Sequence, residues 1–263
     1  MTTALAARPR LTPGTEEAVF IGRSLRHSLR DVETLVMGVA LPVMLMLLFT
    51  FVFGGAMDAS GHYVDFVVPG IILLCAGFGA ANTAVSVSRD MTQGIIERLR
   101  TMPIRAAAVL TGHVVASLVR NLVATAVVVA VGLAVGFRPS AGALAWLGAL
   151  ALVAGYILAI TALFATIGLA ASGPEAASGY GFILLFLPYL SSAFVPIDTM
   201  PGWLQPVAAH LPVTPMIDAI RALLLGTPVD GWDVAWSVLW CTGFVLVAAV
   251  WGAWVFRRRS GAR

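Results

Sequence analysis

The sequence predicts an all-α membrane protein, and three observations carry that prediction. Six long apolar stretches recur along 263 residues. Arginines gather at alternate ends of those stretches. The chain is 59% hydrophobic and 11% charged, where soluble domains carry roughly 25% charged residues. An apolar run of about 20 residues makes ~30 Å of helix, enough to cross the hydrocarbon core of a bilayer. The predicted spans are residues 35–57, 66–87, 115–137, 143–170, 176–195 and 234–256.

Charge orients them. All 16 basic residues are arginine. Arg8, Arg10, Arg23, Arg26 and Arg30 precede the first span, Arg89, Arg98, Arg100 and Arg105 lie between the second and third, and Arg257, Arg258, Arg259 and Arg263 follow the last. With six spans these three segments share one side. The other side holds only Arg138 and Arg221, and Arg120 falls inside a span. The positive-inside rule then places both termini in the cytoplasm, which requires an even number of spans. The organisation expected is a disordered cytoplasmic tail (1–14), an interfacial amphipathic helix (15–34), a six-span domain (35–256) and a basic cytoplasmic tail (257–263). The first 34 residues are too long and too mixed in charge for a signal peptide.

Several chemistries are excluded. No lysine occurs, so the chain lacks the P-loop lysine of an ATPase and the lysine of a Schiff-base enzyme. His27, His62, His113 and His210 show no ligand-like spacing, and no G-x-S-x-G elbow is present. Cys75 and Cys241 both sit in spans and read as packing residues. The net charge of +3 comes from span-flanking arginines, so it signals topology and membrane lipids, with no nucleic-acid partner expected. The predicted spans carry no carboxylate, which removes the usual coupling group of ion-driven carriers. A transporter without a motor or an ion-coupling acid needs an engine on another chain.

In chain order, Ile21, Leu25, Leu29, Val32 and Val36 recur at helical spacing, with Arg23, Arg26, Arg30 and Glu33 between them. Such a helix lies in the headgroup layer, either as a plain anchor or as a lever toward a cytoplasmic partner. Pro42 removes a backbone hydrogen bond from the first span. The second span holds Ala76, Gly77, Gly79, Ala80 and Ala81, which admit a close helix neighbour or line a path. The loop Arg89–Arg105 reads RDMTQGIIERLRTMPIR. Gly94 and Pro103 bracket a short charged helix, residues 95–102, suited to docking into a groove on a cytoplasmic protein; a solvated topology loop is the alternative. Arg120 lies about 25 Å from the far end of its span, near the cytoplasmic edge, where it either snorkels or bonds a neighbouring helix. Gly132 and Gly136 form a small-residue pair near the other end of that span. Glu175 is either a second partner contact or a favourable charge at a helix N-terminus. The external segment after residue 195 has Pro196, Pro201, Pro206, Pro212, Pro215 and Pro228 yet stays apolar, with Trp203 and Leu204 among its residues. Two short helices, 201–210 and 215–225, are predicted there, either re-entrant and capping the outer face or interfacial with Trp203 as anchor. Phe49, Phe51, Phe53, Phe182, Phe186 and Tyr189 are candidates for a substrate path, with lipid-facing or packed positions as the alternative.

The loop IIERLRTMPI (95–104) and the stretch SSAFVPIDTMPGWLQPVAAHLPVTPMIDAIRALLLG (191–226) resemble the permease subunits of ABC type-2 exporters, in particular bacterial daunorubicin-resistance-like drug exporters. The resemblance covers about residues 15–256. The family's Glu-Arg…Thr-Pro pattern falls on Glu97, Arg98, Thr101 and Pro103, with Met102 as an extra residue between the last two. The resemblance implies six spans, an interfacial helix, a cytoplasmic coupling helix between spans 2 and 3, and external re-entrant half-helices between spans 5 and 6. It implies ATP-Mg held by a separate ATP-binding subunit in two copies, no cofactor in this chain, and a second permease subunit as a homodimer partner. Contact with the ATPase is implied for Arg89, Asp90, Ile95, Glu97, Arg98, Arg100, Thr101 and Pro103, with Glu175 as a second point. Pro201, Trp203, Leu204, Pro212 and Pro215 become an outer gate.

The function expected is therefore the permease subunit of an ATP-driven exporter in the bacterial plasma membrane, moving an amphipathic drug-like or lipid-like substrate outward. The alternatives are an intramembrane lipid-modifying enzyme and a non-transporting scaffold. The enzyme would need an Asp or His cluster at the membrane edge, and Asp31, Glu33, Asp90, Glu97 and Glu175 do not form one in sequence.

Overall fold

The computed structural model describes residues 32–58, 61–93 and 106–261, and among them the regular structure is entirely helical. Helix α1 (Val32–Leu48) runs through Pro42 into a π-helical turn (Phe49–Phe53) and a last turn, Gly54–Met57. Then come α2 (Tyr63–Thr92), α3 (Ala106–Val135), α4 (Ala143–Ala170) and α5 (Pro174–Leu184). The chain closes with α6 (Gln205–His210), α7 (Val213–Leu225) and α8 (Gly231–Gly261). Five helical stretches among the described residues are long and apolar enough to cross a membrane: Gly38–Met57, Tyr63–Thr92, Gly112–Val135, Ala143–Ala170 and Gly231–Val255. They coincide with the first four and the last of the predicted spans. The last helix continues through Arg257, Arg258 and Arg259, where a separate tail is expected from the sequence.

The predicted span 176–195 is where the structure departs. Its helix is only 11 residues long, or ~17 Å. Pro188 has no N–H, and its ring crowds the carbonyl four residues back, which is Leu184, the last residue of α5. The chain tightens into a 3-10 turn, Leu187–Leu190, and then leaves helical geometry. It nevertheless keeps company with α2, running antiparallel to it. Gly181 packs on Ala81, Leu185 lies against Gly77, Ala193 abuts Gly70, and the Tyr63 hydroxyl donates to the Phe194 carbonyl at 2.7 Å.

Helix α2 is the centre of the bundle. Ile71, Ile72, Leu73 and Leu74 are consecutive and each at most 2% exposed. Four residues at ~100° per residue sweep almost the whole circumference, so no face of α2 is open. Helices α1, α3, α4, α5 and α7 all pack on it. Helix α8 lies at the rim against α4 and α7, exposing Trp232, Trp236, Leu239, Leu246, Val250 and Trp254.

Lipid is as apolar as leucine, so helices in a bilayer gain little from hiding apolar surface; close packing and interhelical hydrogen bonds hold them. The small residues of α2 serve that purpose. A Cβ on Gly79 would collide with the Asn121 amide, and one on Gly70 with the Ala193 backbone. In α4, a Cβ on Gly168 would fall on the Ala84 carbonyl. Of the pair at the end of α3, Gly132 sits so close to Val68 that a Cβ would crowd it, whereas Gly136, just past the helix, adopts φ 121° and turns the chain.

The two predicted short helices exist with shifted bounds. The first begins at Gln205, because Pro201 to Leu204 form a turn in which Leu204 and Gln205 bond back to the Pro201 carbonyl. The second begins at Val213, with Pro215 inside its first turn, where a missing N–H costs nothing. It buries Val213, Met216, Ile217, Ile220 and Leu224, a helical stripe against α4 and α2. It stops at Gly226, whose φ of 65° suits glycine, with Thr227 N–H bonding the Ala222 carbonyl. The expected interfacial helix with Arg23, Arg26 and Arg30, and the coupling residues Ile95, Glu97, Arg98, Arg100, Thr101 and Pro103, lie outside the described residues.

Candidate functional site

Five of the six path residues read from the sequence, Phe49, Phe53, Phe182, Phe186 and Tyr189, come from segments remote in the chain, and the fold brings them into one line. Phe182 and Phe186 meet edge to face at 5.0 Å along α5. Phe186 is 6.0 Å from Tyr189. Tyr189 stacks on Phe194 at 5.1 Å with an interplanar angle of 13°. Phe194 reaches Phe49 of the π-turn at 4.4 Å, and Phe49 meets Phe53 at 5.5 Å. Six rings thus run from α5, through the chain after its 3-10 turn, to the end of α1. Phe182, Phe186 and Phe53 are exposed, Phe49 and Tyr189 are half-buried, and Phe194 is buried. Phe51 is 70% exposed and pairs with no ring among the described residues. Offset and tilted pairs of this kind hold ~0.5–1.5 kcal/mol each beyond their area.

Phe194 was invisible as a member. It lies beyond the helical periodicity of α5, and only the non-helical course after Pro188 aims it back at Tyr189. The aromatic within the external family stretch 191–226 was the one available signal.

Beside this line sits a part-buried polar clamp. Arg221 of α7 donates from Nε to the Phe66 carbonyl at 3.1 Å, from Nη2 to the Ser192 carbonyl at 2.7 Å and from Nη1 to Asp218 Oδ1 at 2.5 Å. Its guanidinium also lies 3.9 Å over the Phe66 ring. Ser192 Oγ donates to the same Asp218 oxygen at 2.8 Å. Burial pushes the Arg221 guanidinium below its ordinary value, and Asp218 opposes that shift. One arginine therefore ties the segment before α6 to α7 and to α2. The sequence showed Arg221 only as an external charge, since its partners lie in three separated stretches.

The outer-gate residues differ in exposure. Pro201 and Trp203 are exposed, Leu204 and Pro212 are half-buried, and Pro215 is buried. What shapes the segment is its own bonding. Gln205 Nε2 donates to the Asp198 and Met200 carbonyls, Thr214 Oγ1 to the Ala208 carbonyl, and His210 Nδ1 to the Pro206 carbonyl.

At the opposite end of the bundle, Arg89 is exposed and Asp90 is half-buried, its Oδ2 at 2.9 Å from His113 Nε2. Arg120 Nη2 donates to Thr83 Oγ1 at 3.2 Å, which favours the interhelical role over snorkelling alone. Glu175 is exposed in the first turn of α5, whose N-terminal Gly173 is extended and has no side-chain cap. A carboxylate there suits the helix dipole. No group of three or more His, Cys, Asp or Glu able to hold a metal ion occurs among the described residues.

Comparison with known proteins places this geometry. The ABC-2 type transporter family matches residues 16–225. The chain is 33% identical over 224 residues to the daunorubicin resistance ABC transporter permease protein DrrB1 of Streptomyces coeruleorubidus, covering 84% of this chain and 79% of that one. It is 29% identical over 268 residues to the probable doxorubicin resistance ABC transporter permease protein DrrC of Mycobacterium tuberculosis, covering 96% and 95%. It is 27% identical over 180 residues to the probable multidrug ABC transporter permease YbhR of Escherichia coli, covering 68% and 48%. A bundle of membrane-length helices, without the lysine of a nucleotide-binding loop and matched over most of its length, belongs to the ABC-2 type transporter family: it is a transmembrane permease subunit of an ABC exporter, with ATP hydrolysis on a separate chain.

Proposed function

We propose that this permease moves an amphipathic drug-like or lipid-like molecule out of the cytoplasm or inner leaflet of a bacterial plasma membrane. In this reading it pairs with a second copy of itself and with two copies of the ATP-binding subunit, which hold ATP-Mg. The chain crosses the membrane six times with both termini cytoplasmic, and α5 with the 3-10 turn after it makes the fifth crossing. The observation that carries the reading is the line of rings Phe182–Phe186–Tyr189–Phe194–Phe49–Phe53. A planar apolar cargo gains at the exposed and half-buried rings, which buried Phe194 links into one line, and no spanning segment needs to supply an acid for a small ion. The drugs in the names of the daunorubicin and doxorubicin resistance relatives are aromatic and amphipathic, which agrees with that preference.

ATP binding draws the two ATPase subunits together and pushes on the segment around Glu97 and Arg98, with Arg89, Asp90, Ile95, Arg100, Thr101 and Pro103 around it. The helix with Arg23, Arg26 and Arg30 works as a lever in the headgroup layer, and Glu175 gives a second contact. The spans tilt, and the cap holding Pro201, Trp203, Leu204, Pro212 and Pro215 parts. This works only if the ATP-bound partner binds the outward-open permease more tightly than the closed one. The experiment is co-purification of the ATP-binding subunit with wild-type permease and with Glu97→Arg. The variant is expected to insert in the membrane but to lose the partner or its stimulated hydrolysis. Equal capture together with equal export would refute the contact.

A further inference from the structure

Residues 93–105 connect α2 to α3. If that connection receives the ATPase's push, as the reading above holds, the push is useful only when both helices move together. Should they slide or splay, the displacement is spent in the seam between them.

The seam is built against both motions. Asp90 Oδ2 and His113 Nε2 bond at 2.9 Å next to the connection, with side chains 28% and 22% exposed. About two turns further into the bundle, Thr83 Oγ1 and Ser117 Oγ are 2.7 Å apart and buried. Asn121 Nδ2 donates to that Ser117 oxygen at 3.2 Å, and its amide fills the space left open by Gly79. Arg120 adds the bond to Thr83 already described. The rungs keep antiparallel register, rising along α2 from Gly79 to Asp90 while descending α3 from Asn121 to His113. They cover ~16 Å of helix. A slide of one turn breaks together the three bonds that cross the seam, Asp90–His113, Thr83–Ser117 and Arg120–Thr83. The Asn121–Ser117 bond lies within α3 and holds the Asn121 amide against Gly79. Farther along the same two helices the contact turns apolar, with Gly132 on Val68. Past the end of α3 the Arg138 N–H donates to Asp65 Oδ1 at 2.8 Å, so the helix-to-helix polar bonds described here lie in the half of the seam beside the connection.

We propose that α2 and α3 are cross-braced through this stretch into a single lever that stays closed throughout the transport cycle. Asp90, Thr83, Ser117 and Asn121 are positioning residues for coupling, and His113 completes the rung nearest the ATPase.

The test uses the permease with its ATP-binding subunit in inside-out vesicles and a fluorescent anthracycline as the transported probe. Cys75 and Cys241 are first changed to alanine, and Thr83→Cys with Ser117→Cys is added. A disulfide is expected to form on oxidation, and ATP-dependent uptake is expected to match that of the reduced protein. Failure of the disulfide to form overturns the register. Oxidation that stops uptake, reversed by a reductant, overturns the permanent brace. A second arm measures probe moved per ATP hydrolysed. His113→Leu is expected to lower that ratio several-fold with the complex still assembled, and His113→Gln, which returns an N–H near the Nε2 position, to restore it. An unchanged ratio in His113→Leu overturns the positioning role. The contact at Glu97 fails separately: a Glu97→Arg protein that still binds its partner, beside a cross-linked protein that still exports, removes the contact and leaves the brace.

Discussion

Arg221→Leu probes the clamp that ties α7 to the rest of the bundle. Leucine replaces part of the stem but no donor, so the Phe66 and Ser192 carbonyls and the Asp218 carboxylate lose their partner together. An orphaned buried acceptor costs ~1–3 kcal/mol, and breaking a buried ion pair by removing one member ~3–5 kcal/mol. Two features reduce the sum. The Asp218 side chain is 33% exposed, so water takes up part of its charge, and Ser192 Oγ still donates to it. The Arg221 side chain is only 14% exposed, so the carbonyls it leaves are poorly placed for water. The net loss works out at ~3 kcal/mol. Unfolding of the purified permease in mixed micelles, titrated with a denaturing detergent, reads it directly. The pair Asp218→Leu with Arg221→Leu is expected to lose less than the two single losses added, because no unpaired carboxylate remains. A single variant within about 0.5 kcal/mol of wild type, or a strictly additive pair, would refute the reasoning.

Gly168→Ala is expected to cost ~1–3 kcal/mol in the same titration, because its Cβ meets the Ala84 carbonyl; Gly155→Ala, with nothing within 4 Å, is the control and is expected to lose nothing. Phe194→Ala interrupts the ring line between Tyr189 and Phe49 and is expected to lower anthracycline export with the complex intact; unchanged export would remove these rings from the path. Trp203→Cys, exposed on the proline-rich cap, is expected to react with a membrane-impermeant maleimide in intact cells. Ser172→Cys at the other end is expected to react only after permeabilisation, and the reverse pattern would invert the orientation.

Much of the fold was legible because hydropathy and length act locally. A run such as 143–170 must be helical wherever lipid surrounds it, since every backbone N–H and C=O needs a partner within the segment. Segment 176–195 shows where that logic ends. Its composition is that of a span, yet Pro188 ends the helix, and the polar groups after it are satisfied by protein. Ser191 Oγ accepts from Ala193 N–H, and Arg221 takes the Ser192 carbonyl. The short helices were foreseen from their prolines, but their bounds were not, because Pro201 serves a turn and Pro215 tolerates a first helical turn equally well.

By itself, the sequence determined five stretches that form membrane-length helices, where the arginines lie, and that no nucleotide-binding lysine exists. These follow from properties each residue carries in any neighbourhood. The tertiary structure alone decided that α2 is the central helix and that Phe49 and Phe194 share one line of rings. It also decided that Arg221 clamps three elements and that Asp90 meets His113. Those facts depend on close helix crossings, such as those where Gly79 and Gly168 leave no room for a Cβ. Close packing of that kind is a property of two surfaces together, and neither strand of sequence contains it alone.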